Sequence, residues 1–219
     1  MRHRSREAHD GCRKQMRQER HELRALLKQV RSGQWDRPTP CADWTVRDLA
    51  AHLLAWDELL LYRTPLEHLR ALGRFVGLYA RSLASMTRLN SRLARRNSAL
   101  TPDEITARFG ADDSAGPKWL FDGSNPGAHL AEYVIHHQDL CRALGTVATI
   151  RPERLGASLD GLTQLPGVRI GAWRKLRTRC WQATDIAWSR GRGPIVSAPA
   201  EEILMILAGR SAADAVSAS

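Results

Sequence analysis

Three side chains of this 219-residue chain are of types that hold divalent metal ions, and each falls in a segment with helical spacing. Glu132 and His136 stand four apart, so on a helix they leave one face about one turn from each other and can grip the same ion. His52 interrupts an apolar stripe in Asp48-Leu49-Ala50-Ala51-His52-Leu53-Leu54. Facing helices of a bundle can bring such residues together. Taken singly, each has an ordinary explanation. A histidine on an apolar face is more often a hydrogen-bonded core residue than a ligand, and one Glu-x-x-x-His pair arises readily by chance.

The elements that would position these residues follow from periodicity and punctuation. Residues 1–14 are polar with almost no apolar side chains and read as a disordered leader. From Gln15 to Val30, Leu23, Leu26, Leu27 and Val30 recur at helical spacing. The stretch Trp35–Trp44 is a proline-rich loop, and Thr45 is placed to cap a helix through Val46, Leu49, Leu53 and Leu60, with Asp48 adding negative charge to the first turn. That register puts Leu49, His52 and Trp56 on one face. Leu66 to Leu93 predicts one long or kinked helix with bends at Gly73 and Gly77. Thr101-Pro102-Asp103-Glu104 opens a short helix that stops at Gly110. Residues 111–127 read as loop. A helix from about Gly127 to Leu144 carries Glu132 and His136 and stops at Gly145. Pro152–Leu165 is weakly helical. Arg179–Trp188, a turn at Gly191 and Gly193, and Ile195-Val196 carry a hairpin signature. A last helix spans Pro199–Gly209, and the Ala/Ser tail, 212–219, reads as disordered. The domains expected are thus a helical bundle over 15–146 and a small α+β segment over 147–211.

Composition narrows the function classes. No run of about 18 apolar residues exists, and the basic N-terminus lacks the apolar stretch of a secretory signal, so a cytoplasmic protein without membrane association is expected. Cys12, Cys41, Cys141 and Cys180 form no C-x-x-C pair, which points away from zinc ribbons and disulfide scaffolds toward reduced structural thiols. The net charge of +10 raises nucleic acid as a partner. The basic residues nevertheless lack interleaved aromatics and any recognisable nucleic-acid motif, and only four of the 33 are lysine, which is the mark of a compositional bias. Nucleic acid is therefore not the expected partner.

Longer matches add to the ligand types. The ordered set Trp35, Pro38-Thr39-Pro40-Cys41, Asp43-Trp44-Thr45-Val46, Asp48-Leu49 and Ala51-His52-Leu53 resembles the N-terminal signature of the mycothiol-dependent maleylpyruvate isomerase family, within the DinB-like four-helix-bundle superfamily. Glu132-Tyr133-Val134-Ile135-His136-His137-Gln138-Asp139 with Arg142-Ala143-Leu144-Gly145 resembles its later metal-binding helix. Ala183-Thr184-Asp185, Trp188, Gly191, Gly193-Pro194 and Leu207-Ala208-Gly209-Arg210 look like the C-terminal segment of many members. The resemblance covers roughly residues 15–210. It implies a mainly α fold, a DinB-like four-helix bundle with a small α+β C-terminal segment.

Carried over residue by residue, the resemblance assigns His52, Glu132 and His136 as metal ligands, with one or more coordination positions left for water or substrate. His129, on the same helical face, reads as a substitute ligand or as a residue that hydrogen-bonds a ligand, and His137, about 100° away, ranks after it. Asp139 either orients a ligand or pairs with Arg142. Two histidines and a carboxylate suit zinc, and also nickel, iron or manganese; zinc is the expected ion. The family's cosubstrate is the thiol mycothiol, which loses its proton beside a Lewis-acidic ion. The thiolate can add to an activated double bond, allow rotation and leave. That is the cis–trans isomerisation of maleylpyruvate, and without the return step it is thiol transfer. Arg174, Arg177, Arg179 and Arg210 are candidates for binding substrate carboxylates. Cys41 reads as a packing thiol, and Trp44 and Trp56 as core or pocket lining. The implied function is a mycothiol-dependent isomerase or S-transferase acting on a small electrophile, as monomer or homodimer. The alternative is a noncatalytic metal-binding or sensing module with a basic interaction surface.

Overall fold

The computed structural model describes residues 2–41, 43–97, 99–109, 118–119, 126–163 and 169–210. In chain order its main elements are α1 (Arg2–Gln29), α2 (Val46–Leu60), β1 (Leu61–Tyr62), α3 (Pro65–Arg81), α4 (Met86–Asn97), α5 (Pro102–Phe109), β2 (Lys118–Trp119), α6 (Pro126–Leu144), α7 (Pro152–Leu162), α8 (Arg169–Thr178), β3 (Cys180–Ala183), β4 (Ser189–Gly191), β5 (Ile195–Ala198) and α9 (Ala200–Leu207). The fold is mainly α with a small sheet near the C-terminal end, as expected.

Two compact units interleave along the chain. One gathers Met1–Met16, Asn125–Gln138 and Ala148–Ser219, and the other Arg17–Ser124 and Asp139–Val147. This differs from the single cut after residue 146 read from the sequence. A physical reason is the approach of α6 to α7: a Cβ on Gly161 would collide with the backbone of Gly127 and Ala128, so two glycines let the first part of α6 lie against α7.

In the unit holding Arg17–Ser124, the centre is α2, which buries His52 and ten other residues and packs against α3, α4 and α5. Its start is the cap expected at Thr45, here completed as a capping box: Thr45 Oγ1 accepts from the Asp48 N–H at 3.2 Å while Asp48 Oδ2 accepts from the Thr45 N–H at 3.0 Å. Thr101 and Glu104 repeat the device at α5. The Thr101 backbone N–H and hydroxyl hold the Glu104 carboxyl below its ordinary value. From α1, buried Arg20 reaches Asp57 on α2 at 2.6 Å and the Phe109 carbonyl at the end of α5 at 3.3 Å. Its guanidinium also lies over the Phe109 ring, 5.2 Å from the centroid.

Three expectations for this stretch need correction. The helix begins at Arg2, through the residues read as a disordered leader; Arg, Glu, Gln and Lys have good helix propensity even where they bury nothing. Leu66–Leu93 is not one helix. Gly73 and Gly77 lie inside α3, and the break comes at Leu83 and Ala84, whose φ values of 53° and 51° are left-handed. Neither residue type signals such a turn. The stretch 111–127, read as loop, contributes β2, which pairs antiparallel with β1; Gly110 lies outside the described residues.

In the other unit, β3 is the middle strand, antiparallel to β4 and parallel to β5. The expected hairpin exists, but between β3 and β4. The Gly191–Gly193 turn instead carries the chain across the entry to β3, so that Ile195 pairs with Cys180 on the far side. Only glycine allows this crossing. Gly191 and Gly193 have φ of 121° and 107°, and a Cβ on either would strike the carbonyls of Arg179 or Thr178. Trp181, Val196 and Ala198 face the core, where α9 packs on α7, α8 and β3. Both ends of α9 are satisfied by side chains: Asp185 accepts from the Ala200 N–H at 2.8 Å, and Lys175 donates to the Ile206 carbonyl. Burial holds the Lys175 ammonium below its ordinary value. The helix α8 has no counterpart in the sequence reading, and the tail after Arg210 lies outside the described residues.

Candidate metal centre

α6 is buried on almost every side: from Leu130 to Cys141 every residue is buried except Glu132, which is partly exposed. Within that run His136, His137, Gln138 and Asp139 are four consecutive buried polar residues. Buried polar groups must be matched, so a row of them in a core helix is the strongest local sign of a site. Glu132 and His136 meet as their four-residue spacing requires, His136 Nε2 lying 3.2 Å from Glu132 Oε1. The helix ends at Gly145, with φ of 68°, where the Thr146 N–H donates to the Cys141 carbonyl at 2.9 Å.

On α2, His52 is fully buried. Trp44, just before the helix cap, tilts against its ring with centroids 4.6 Å apart, and Trp56, one turn on, meets it edge-on at 6.3 Å. Two indoles thus fix the imidazole plane. The preceding loop is laced by Thr39, whose hydroxyl donates to the Trp44 carbonyl at 2.9 Å and accepts from the Cys41 N–H at 3.2 Å. This holds Cys41 with its Sγ 3.5 Å from Asp139 Oδ2.

Among the described residues, two groups of side chains are arranged to hold a cation. The ligand atoms of His52, Glu132 and His136 lie within 4.8 Å of one another, and so do those of Cys41, His136 and Asp139. The first group is the one the family resemblance assigns. Two imidazoles and one carboxylate, two of the three buried, are a donor set that fits a borderline ion such as zinc and leaves coordination positions over.

The second group was not anticipated as a group. Cys41, expected as a packing thiol, is half-buried with its Sγ toward a carboxylate, and Asp139 is fully buried. Asp139 thereby shares a group of donor atoms with His136. Its buried position three residues after His136 was the available signal. His129 and His137 belong to neither group. Arg174 and Arg177 are exposed, Arg177 stacking on Trp173 at 4.5 Å, and Arg210 donates to the Ala208 carbonyl at 3.2 Å. None of the four cysteines is in a disulfide.

Helical bundle and donor set together define the class, a fold with potential metal-binding residues. The family described as the mycothiol maleylpyruvate isomerase N-terminal domain matches residues 16–141, and the chain belongs to that family. Among solved structures it is similar to a mycothiol-dependent maleylpyruvate isomerase, with 17% identity and a TM-score of 0.58 over 93% of this chain and 90% of that one. It is also similar to a histidine-to-alanine mutant of that isomerase, with 16% identity and a TM-score of 0.55 over the same shares. At such identity the likeness is one of fold, and it takes in most of the segment beyond residue 146. No curated protein sequence is similar enough to the chain to count as a match.

Proposed function

We propose that this protein is a divalent-metal, mycothiol-dependent enzyme that isomerises or transfers thiol to a small electrophile, in the manner of maleylpyruvate isomerase. The observation that carries the reading is the convergence of His52, Glu132 and His136 in a chain of this family. Zinc is the ion proposed, and it would supply Lewis acidity and favour the thiolate form of a nearby thiol.

The chain's own residues supply the rest. Trp44 and Trp56 hold His52 in one orientation, so its nitrogen meets an ion without rotational rearrangement. Glu132, the least buried of the three, marks the side on which the site is open to solvent and small molecules. Asp139 accepts a hydrogen bond from the Cys41 thiol, and the reacting sulfur is that of the cosubstrate.

The test measures metal by mass spectrometry in wild type and in His52→Ala, Glu132→Ala and His136→Ala, each checked by circular dichroism. It then follows consumption of maleylpyruvate and of mycothiol-reactive electrophiles with and without mycothiol. About one ion per chain, lost in the folded variants, with turnover only when thiol is present, is the expected result. A folded wild type that takes up no metal on reconstitution sinks the site. Metal without any mycothiol-dependent turnover sinks the enzymatic reading and leaves a binding module.

A further inference from the structure

The residues from 63 to 97, α3 and α4 with their flanks, hold eight arginines against the single acid Glu67, so most of the chain's net charge of +10 is concentrated there. Even Glu67 is engaged locally, its Oε2 accepting from the backbone N–H groups of Arg63 and Thr64 at the start of α3. Arg70, Arg74, Arg81 and Arg88 are all exposed.

The same region shows apolar side chains to solvent. α3 is 17 residues long, yet Ala71 is its only fully buried residue. Leu66, Leu69 and Val76 are 56%, 64% and 56% exposed, and Leu72 is 39% exposed. At about 100° per residue Leu69, Leu72 and Val76 fall within roughly 60° of one another and Leu66 about 60° further round, with Arg70, Arg74 and Arg81 grouped on the face beyond Leu66. Leu83, in the left-handed turn after α3, is the most exposed leucine of this group at 74%. Single exposed leucines mean nothing, but an aligned set on a helix that barely joins the core marks an interaction surface.

We propose that α3 is an interfacial helix that lies on an anionic lipid surface. Leu66, Leu69, Leu72 and Val76 enter the boundary between headgroups and acyl chains, and the arginines of α3 and α4 meet the lipid phosphates. Charge and apolarity together select this occupant. A nucleic-acid backbone would use the arginines and leave the leucines in water. A second copy of the chain would cover the leucines but bring two arginine-rich surfaces together. Among the described residues no helix is long and apolar enough to cross a membrane, which bears on spanning and not on lying at the surface. The inference revises the expectation of no membrane association, and it does not depend on the metal centre.

The test is co-sedimentation of the full chain with vesicles of phosphatidylcholine alone or mixed with phosphatidylglycerol, alongside analytical ultracentrifugation without lipid. Binding is expected only to the vesicles with phosphatidylglycerol, declining steeply with salt. It should weaken about tenfold in Leu69→Gln and also in the pair Arg70→Gln and Arg74→Gln. These side chains are exposed, so the helical circular dichroism should not change. No binding to anionic vesicles at low salt overturns the proposal. Undiminished binding by Leu69→Gln overturns it too, since arginines alone would then suffice. A dimer that forms without lipid and is broken by Leu69→Gln would assign the stripe to a second copy, and that also overturns it.

Discussion

At the residue scale, the candidate metal centre is built from side chains whose neighbours leave them little freedom. His52 is held between two indoles, and His136 faces Glu132 one helical turn away. Asp139 is the residue whose importance outruns its prominence in the sequence. It is buried three residues after His136, it takes the Cys41 thiol at 3.5 Å, and it belongs with His136 to a second group of donor atoms. Carboxylates that orient metal-bound imidazoles commonly contribute tenfold to a hundredfold in affinity. Asp139→Asn keeps the shape and removes the charge, so it is expected to weaken zinc retention by about that factor with the fold intact. Competition with a chromogenic chelator measures this; unchanged affinity would assign Asp139 to structure alone.

At the element scale, α2 is anchored by its cap at one end and by the buried pair of Arg20 and Asp57 near the other. The pair joins α1 to α2, and the same guanidinium reaches the last residue of α5. Both side chains are nearly inaccessible, so removing the carboxylate leaves a buried cation facing the wrong surroundings. Asp57→Ala is expected to cost about 3–5 kcal/mol, which for a chain of this size lowers Tm by roughly 10 °C. A double variant with apolar residues at both positions should recover much of that loss, since the pair's cost of desolvation disappears with it. Thermal unfolding of the three proteins decides the matter, and a loss under about 1 kcal/mol in Asp57→Ala would show that the pair is solvated.

At the scale of the whole molecule, the dominant physical fact is the charge of +10 and its concentration over α3 and α4. Like charges at this density oppose compaction, and salt relieves them over a Debye length of about 10 Å at 0.1 M. Raising ionic strength from about 10 mM to about 150 mM is therefore expected to raise Tm by roughly a few degrees. A fall in Tm would mean that attractive surface pairs outweigh the repulsion. The same salt titration should release the chain from anionic vesicles, so a single variable moves stability and lipid association in opposite directions.

Local and periodic features were legible from the sequence. The cap at Thr45, the start of α5 at Thr101, the stop at Gly145 and the helical register of Glu132 and His136 depend on residues within about one turn, and each appears in the structure as read. Family resemblance placed His52 in the same candidate ligand set, because motif order preserves a pairing that spacing alone cannot show across the 79 positions between His52 and Glu132. The tertiary structure decided the rest. Leu83 and Ala84 break the helix with left-handed φ values that their types do not announce, and β5 crosses to the far side of β3 because two glycines permit passage against a carbonyl wall. Likewise, the Cys41 contact with Asp139 and the exposed stripe of α3 follow from which surfaces find partners. Periodicity shows that a face is apolar; whether another element covers it is a property of the packed chain.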